Sequence, residues 1–295
     1  MPNGIVTSGV LQDSLNTVIA SARVIREYGP VMSRFVDKVT LAPGTGLNWK
    51  EILLQRLQAH GIDELYDLEQ SPQQITDSGF SINLTAVGMS VFITDRAKRV
   101  ISPLVAAKIG QLTENAMGRK KDLDLIAVAQ TFTTDLGTAG SPMESGFVSA
   151  AVARIRTNTT EPWDGPTVTV LHPVQLKDIQ DEIVAGIGTY TIPVGLTEDV
   201  FLRGFTGKTL YDSAVWTDPN ITVNSSDDAE GFTFASGSGG AIVLVQGEGS
   251  RHITERKENI GTGAEIMYAT DEYGIGLRQA AWGFTYTTDA TAPVQ

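Results

Sequence analysis

Side chains suited to chemistry are sparse in this sequence. It holds three histidines, His60, His172 and His252, and no cysteine. Disulfides, zinc–thiolate sites and cysteine nucleophiles are therefore excluded. No histidine has a second histidine three to five residues on. His60 precedes Gly61, and His172 ends an apolar run before Pro173. All three read as structural or surface residues.

Gly204-Phe205-Thr206-Gly207-Lys208-Thr209 invites a phosphate-loop reading, but the glycine required five residues before Gly207 is Leu202. The segment that follows reads as a strand, whereas a phosphate loop must open a helix so that its amides face the anion. Ser236-Gly237-Ser238-Gly239-Gly240 also leads into a strand pattern. Asp63, Glu64, Asp67 and Glu69 suit a solvated charged face. Asp218, Asn220, Asp227 and Asp228 miss the calcium-loop pattern, because its glycine and terminal glutamate are misplaced. There is no Gly-x-Ser-x-Gly elbow. The expectation is no metal, no cofactor and no catalytic residue: the chain is not an enzyme of a familiar class. A site of scattered carboxylates is the remaining enzymatic reading.

What the residues build is more informative. At 295 residues the chain is long enough to bury roughly 75% of its unfolded surface. Its hydrophobic content of 41% is ordinary for a folded protein. No stretch approaches the ~20 apolar residues of a membrane span, and Met1-Pro2-Asn3-Gly4 does not start like a secretory leader. The net charge of -12 argues against a surface that grips nucleic acid all over.

Val18, Ile19, Ala22 and Ile25 fall at near-helical spacing before Gly29-Pro30. Val31 to Leu41 reads as extended. Pro43 to Gly46 is a turn, and Trp49 to Leu68 reads as helical in parts. Phe80, Ile82, Leu84, Val91 and Ile93 then alternate as in a strand. A long excursion thus lies between two extended runs, which suggests a two-stranded protrusion carrying an insertion. Such a hairpin is marginal in water unless it lies on another surface.

From Thr94 the period becomes helical. Ala97, Ile101, Val105, Ile109, Leu112 and Ala116 form one stripe, capped by Thr94 or Asp95, restarted or kinked at Ser102-Pro103 and ended at Gly118. Leu123 to Phe132 predicts a second, shorter helix. Further on come a short helix over 148–156, a buried strand Thr167–Leu171 closed by His172-Pro173, and a helix carrying Leu176, Ile179 and Ile183. Strands are expected around 190–194, 199–203, 208–216, 241–245, 264–270 and 275–286. Segregated helices and strands point to the α+β class.

Taken in order, these elements resemble the tailed-bacteriophage major capsid proteins of the Hong Kong ninety-seven fold. Ile93 to Pro103 resembles the start of that family's spine helix. Thr167 to Pro173 resembles its axial-domain strand, Val200 to Tyr211 a segment near the capsomer axis, and Ala269 to Phe284 the closing strands. The resemblance implies an N-terminal arm through residue 40, an extended loop over 41–93, and a peripheral domain with the spine helix over 94–160. An axial domain over 161–250 and return strands of the peripheral domain over 251–295 complete it.

It also implies a structural subunit that assembles with itself into pentamers and hexamers of an icosahedral virion head, built in the host cytoplasm around double-stranded DNA. Scaffolding, portal and decoration or cement proteins are the further partners it implies, with no membrane. An encapsulin-like compartment shell has the same fold and is the alternative. Some family members crosslink a lysine to an asparagine. Lys50 lies in the loop here, but no partners are identifiable and no crosslink is expected.

Residues 95–121 carry a net charge of +5, so the remainder carries -17. Arg119, Lys120 and Lys121 are the candidate DNA-facing residues. The competing reading is that these basic side chains pair with carboxylates of neighbouring subunits.

Overall fold

The computed structural model describes residues 5–6, 28–59, 61, 72–100, 103–185, 209–259 and 263–293. The expected 18–25 stripe, His60, the Asp63–Glu69 cluster, the expected 190–203 strands and the Gly204–Lys208 loop lie outside them. The strands are β1 (Ile5–Val6), β2 (Asp37–Thr40), β3 (Asn48–Leu54), β4 (Asp77–Asn83), β5 (Thr85–Thr94), β6 (Thr167–Leu171), β7 (Thr209–Leu210), β8 (Ser213–Thr217), β9 (Asp228–Ala235), β10 (Ile242–Gln246), β11 (Arg251–Lys257), β12 (Ala264–Leu277) and β13 (Gly283–Asp289). The helices are α1 (Asp95–Val100), α2 (Pro103–Ala129), α3 (Ser145–Arg156) and α4 (Pro173–Ala185).

One sheet has the order β1-β5-β12-β10-β2, with β11 also paired to β12. The other has the order β13-β9-β6-β8-β7, and β3 and β4 form a separate two-stranded ribbon. The α+β expectation holds, and so does the ribbon, but its strands differ from those expected. The extended runs at 37–40 and 85–94 join the first sheet, where β2 lies parallel to β10 and β5 antiparallel to β12. The ribbon lies inside them, pairing Asn48 with Asn83 through Leu54 with Asp77. Residues 49–54, expected to be partly helical, are therefore extended. Alternating side chains that fit a pleated strand outweigh a helical tendency with no face to bury.

Two strands also cross the expected domain boundaries. β10, placed with 161–250, pairs in the first sheet; β13, placed with 251–295, pairs in the second. The chain passes between sheets at 236–241 and 278–282, so the units interleave. One apolar cluster spans both. It joins Val168, Val170, Phe232 and Phe234 of the second sheet to Ile242, Leu244 and Tyr273 of the first, and to Leu125, Ile126 and Ala129 of α2. Within the second sheet β6 is buried along its whole length. Thr169 bridges Ser213 (2.8 Å) and Thr233 (2.7 Å), and the Tyr286 hydroxyl donates to Thr233 (2.7 Å). Buried hydroxyls are thus paired across four strands, as they must be to offset their desolvation.

The Thr94 hydroxyl accepts the Ala97 amide at 3.2 Å and so caps α1. Gly118 does not end the helix: α2 runs through it to Ala129 and absorbs the expected second helix. A mid-helix glycine costs ~1 kcal/mol relative to alanine, and α2 carries that cost here, since a Cβ at this position would stand 3.6 Å from Pro30, an ordinary contact distance. The buried face of α2 is Thr113, Met117, Asp122, Leu125, Ile126 and Ala129, while Leu112 of the expected stripe is exposed. Pro173 opens α4, where a missing amide costs nothing.

The ribbon crosses β12 at Gly274 and Gly276. A Cβ on Gly274 would stand 2.6 Å from the Asn83 carbonyl oxygen and 2.7 Å from Ile82 Cγ2; one on Gly276 would meet the Ile82 side chain alone, at 2.5 Å. Gly274→Ala must therefore move backbone, and Gly276→Ala only a side-chain tip. Gly274→Ala is expected to destabilise the subunit by roughly 1–3 kcal/mol, with Gly276→Ala milder, as read by chemical denaturation. Equal costs would show that the ribbon does not seat on this notch.

Candidate assembly surface

The ribbon's two ends differ in character. At its root, Trp49 and Phe80 meet edge to face with centroids 5.6 Å apart, packed on a cluster of Ile82, Leu84, Val243 and Val245. Towards its far end Ile52, Leu53 and Leu54 are 58%, 51% and 65% exposed, and Leu57 and Ile75 lie exposed nearby. Large aliphatic side chains grouped on a projecting strand pair carry no benefit in water. Such patches mark surfaces that another molecule covers.

Arg278 fixes the ribbon's direction. Its Nε donates to both carboxylate oxygens of Glu51 (3.1 and 2.9 Å), Nη2 to Asp37 Oδ2 (2.8 Å) and Nη1 to the Gly240 carbonyl (2.8 Å). Asp37 Oδ2 also accepts the Gly239 amide at 3.0 Å. One nearly buried guanidinium thus joins β3, β2 and the 236–240 turn, using the planar fork that lysine lacks. The glycine run Ser236–Gly240 is part of this junction. Sequence reasoning passed over Arg278, and the available signal was a single arginine at the end of an apolar, glycine-containing strand.

The basic residues of α2 divide. Arg119 and Lys120 are exposed, Lys120 pairing along the helix with Asp124. Lys121 is turned inward: it pairs with Asp271 at 2.8 Å and lies 5.0 Å from the Tyr273 ring centroid. Asp271 is almost wholly buried, and the Tyr273 hydroxyl donates to Asp124 at 2.7 Å. Desolvation beside those carboxylates pushes the Tyr273 hydroxyl well above its usual range. Lys121 therefore binds α2 to β12 of its own chain. Elsewhere Lys98 pairs with Glu265, and Lys108 Nζ donates to Gln111 at 3.2 Å.

The remaining candidates have structural roles. Half-burial lowers the His172 pKa; its amide donates to Gln175 Oε1 (3.0 Å) at the start of α4. His252 lies 3.2 Å from Glu114 on the surface. Asn224 accepts the amides of Ser226 (2.8 Å) and Asp228 (3.0 Å), which makes the 224–228 segment a turn. Asp218 and Asn220 lie apart from it, buried beside Asp122. Among the described residues no group of three or more His, Cys, Asp and Glu is placed to hold a metal.

No family model matches the sequence, and no curated protein matches it. Solved structures do match. The capsid of cyanophage P-SCSP1u superposes with a TM-score of 0.69 at 10% identity, over 97% of this chain and 96% of that one. The head of Helicobacter pylori bacteriophage KHP40 gives 0.69 at 12% identity, over 93% and 96%. The chain has the phage capsid fold. The holo-SrpI encapsulin complex from Synechococcus elongatus PCC 7942 shares that fold too, at a TM-score of 0.66 and 11% identity over 98% of both chains. The capsid fold so assigned covers both sheets, the long helix and the ribbon.

Lys121→Gln should cost roughly 3 kcal/mol, because it leaves a buried carboxylate unpaired. Arg119→Gln and Lys120→Gln should each cost under ~1 kcal/mol. Urea denaturation of the three variants checks the contrast, and similar costs for all three would contradict the inward assignment of Lys121.

Proposed function

We propose that this chain is a major capsid protein, a structural subunit that assembles with itself into pentamers and hexamers of a phage head around double-stranded DNA. The observation that carries the reading is the projecting ribbon with its uncovered aliphatic end, on a fold shared along nearly the whole chain with phage capsids. A subunit of a closed shell need not bury every apolar side chain itself. Rotational contacts between copies close into rings and then into a shell, and obligate contacts of this kind bury on the order of 2,000–5,000 Å².

In this reading the first sheet and α2 form the peripheral domain and the second sheet the axial domain. The ribbon is the extended loop that lies across a neighbour. Scaffolding, portal and cement proteins are the expected further partners, and the chain is not an enzyme. The inner surface meets packaged DNA without sequence preference. Arg119 and Lys120 are exposed cations on α2, whereas Lys121 is committed to Asp271. An encapsulin-like shell is the second reading, supported by the matching encapsulin structure.

Electron microscopy of particles formed by the full chain, co-expressed with its genomic neighbours, tests the proposal. Closed shells are expected, and a strictly monomeric species under all such conditions would sink it. Particles holding a protein cargo and no DNA would favour the encapsulin reading. Leu53→Glu with Leu54→Glu should leave the subunit's own stability within ~1 kcal/mol, since both side chains are exposed, yet abolish or severely reduce shell yield. Normal shells from this variant would show that the ribbon end is not an intersubunit contact. Arg119→Gln with Lys120→Gln should assemble empty shells normally, while DNA retention in filled heads becomes less sensitive to salt. Failure to form even empty shells would assign these two residues to subunit contacts instead.

A further inference from the structure

Asp122 and Asp218 are both fully buried, and among the described residues neither has an ion-pair partner. Asp122 projects from α2 and accepts three hydrogen bonds, all from neutral amides. Oδ1 takes the amides of Val31 and Met32, both at 2.9 Å, and Oδ2 takes the Asn220 side-chain amide at 2.9 Å. Asp218 follows β8, and its amide donates to the Leu171 carbonyl at 2.9 Å. Its Oδ1 accepts the Asn220 amide at 2.9 Å, while its Oδ2 is buried with no donor. A second full charge here would have no counter-ion and a single hydrogen bond, on Oδ1, an arrangement the interior does not tolerate.

The titratable groups on the surrounding elements are engaged elsewhere. Lys121 pairs with Asp271, Asp124 binds Lys120 and the Tyr273 hydroxyl, Asp228 accepts the Gly140 amide, and Arg34 is exposed. The charge acting on Asp218 is that of Asp122.

We propose that Asp218 is a neutral carboxylic acid that donates a hydrogen bond to Asp122, closing a proton-dependent clasp. The clasp joins three segments distant in sequence: the backbone at Val31–Met32 where the N-terminal segment enters the body, the long helix α2, and the 218–221 turn beneath the second sheet. Desolvation, followed by the hydrogen bond and the charge of Asp122, pushes the Asp218 pKa up to about 7. Because the folded-state value lies above the unfolded one, the stability it contributes is fully present below the ordinary aspartate range. That stability is lost as pH rises through about 7. By mass action the acid is about nine-tenths protonated at pH 6 and about one-tenth at pH 8. The clasp therefore weakens across neutral pH and loosens the hold on residues 31–32. The assignment is independent of the shell reading, since it concerns the isolated subunit as well.

Infrared difference spectra of the full chain carrying ¹³C-labelled aspartate, recorded between pH 6 and pH 8, test it directly. One isotope-shifted protonated-carboxyl band should disappear with a midpoint near neutrality, and it should be missing from Asp218→Asn. Absence of any such band in the wild-type protein overturns the proposal without recourse to a variant. Asp218→Asn supplies a permanent donor. Its denaturation midpoint should lie closest to wild type at pH 4 and exceed it by a margin that grows up to about pH 7, and a difference that does not vary with pH overturns the clasp. If calcium or magnesium raises the wild-type midpoint at pH 8 and chelation reverses it, while Asp218→Asn does not respond, a cation rather than a proton neutralises the pair and the proposal fails.

Discussion

Strand β12 carries the architecture. Its fourteen residues pair with β5 along one side and with β11 and then β10 along the other. Because every one of these ladders shares its backbone, β12 has almost no freedom of its own. The features that aim the ribbon all belong to it or follow it directly: Gly274 and Gly276 admit Ile82, and Arg278 holds Glu51. A two-stranded ribbon standing alone is marginal. This one keeps its direction because a packed strand presents it with a notch and a guanidinium fork.

The interleaving of the two sheets follows from the same constraint. Had β10 stayed with the second sheet, β12 would lack a partner over Gly274–Leu277, and β2 would be an orphan. Routing the chain into the first sheet and back out fills both edges and places Ile242 and Leu244 against Phe232 and Phe234 in one shared core. A body built that way transmits force between its halves without a hinge of its own. The parts free to differ from copy to copy are then those outside the core, among them the exposed ribbon end. That division suits a subunit that must occupy slightly different environments around a closed surface.

The sequence revealed the element types wherever a period ran against one uniform neighbour. The alternation of Ile82, Leu84 and Ile93, the cap expected at Thr94 or Asp95, the buried run Thr167–Leu171 and the helix carrying Leu176 and Ile179 all matched. Prediction failed where a distant partner decided. Gly118 reads locally as a stop, but Asp122 one turn on is buried and bonded to Val31, Met32 and Asn220, and α2 continues. The ribbon's boundaries depended on β10 and β12 claiming the flanking runs, which local alternation cannot show. Lys121 looked like one of three equivalent surface cations, and only the position of Asp271, 150 residues away, turns it inward. Arg278 and the Asp122–Asp218 pair were illegible for the same reason: each is ordinary in its own segment and acquires meaning from residues about 90 or more positions distant.

The charge distribution then has a physical consequence. With Lys121 and Lys98 committed to carboxylates of their own chain, the +5 of residues 95–121 overstates what α2 presents to solvent. A net charge of -12 per copy means that closely spaced copies repel through solvent, within a Debye length of about 8 Å at physiological salt. In the proposed shell, association would have to be driven by a term that salt does not screen. The five exposed aliphatic side chains of the ribbon region provide one, at about 25 cal/mol per Å² of surface covered. In the proposed shell, weak net attraction per contact, repeated over many copies, would let misplaced subunits dissociate before closure. An acidic body with an apolar projecting ribbon balances repulsion against burial in that way.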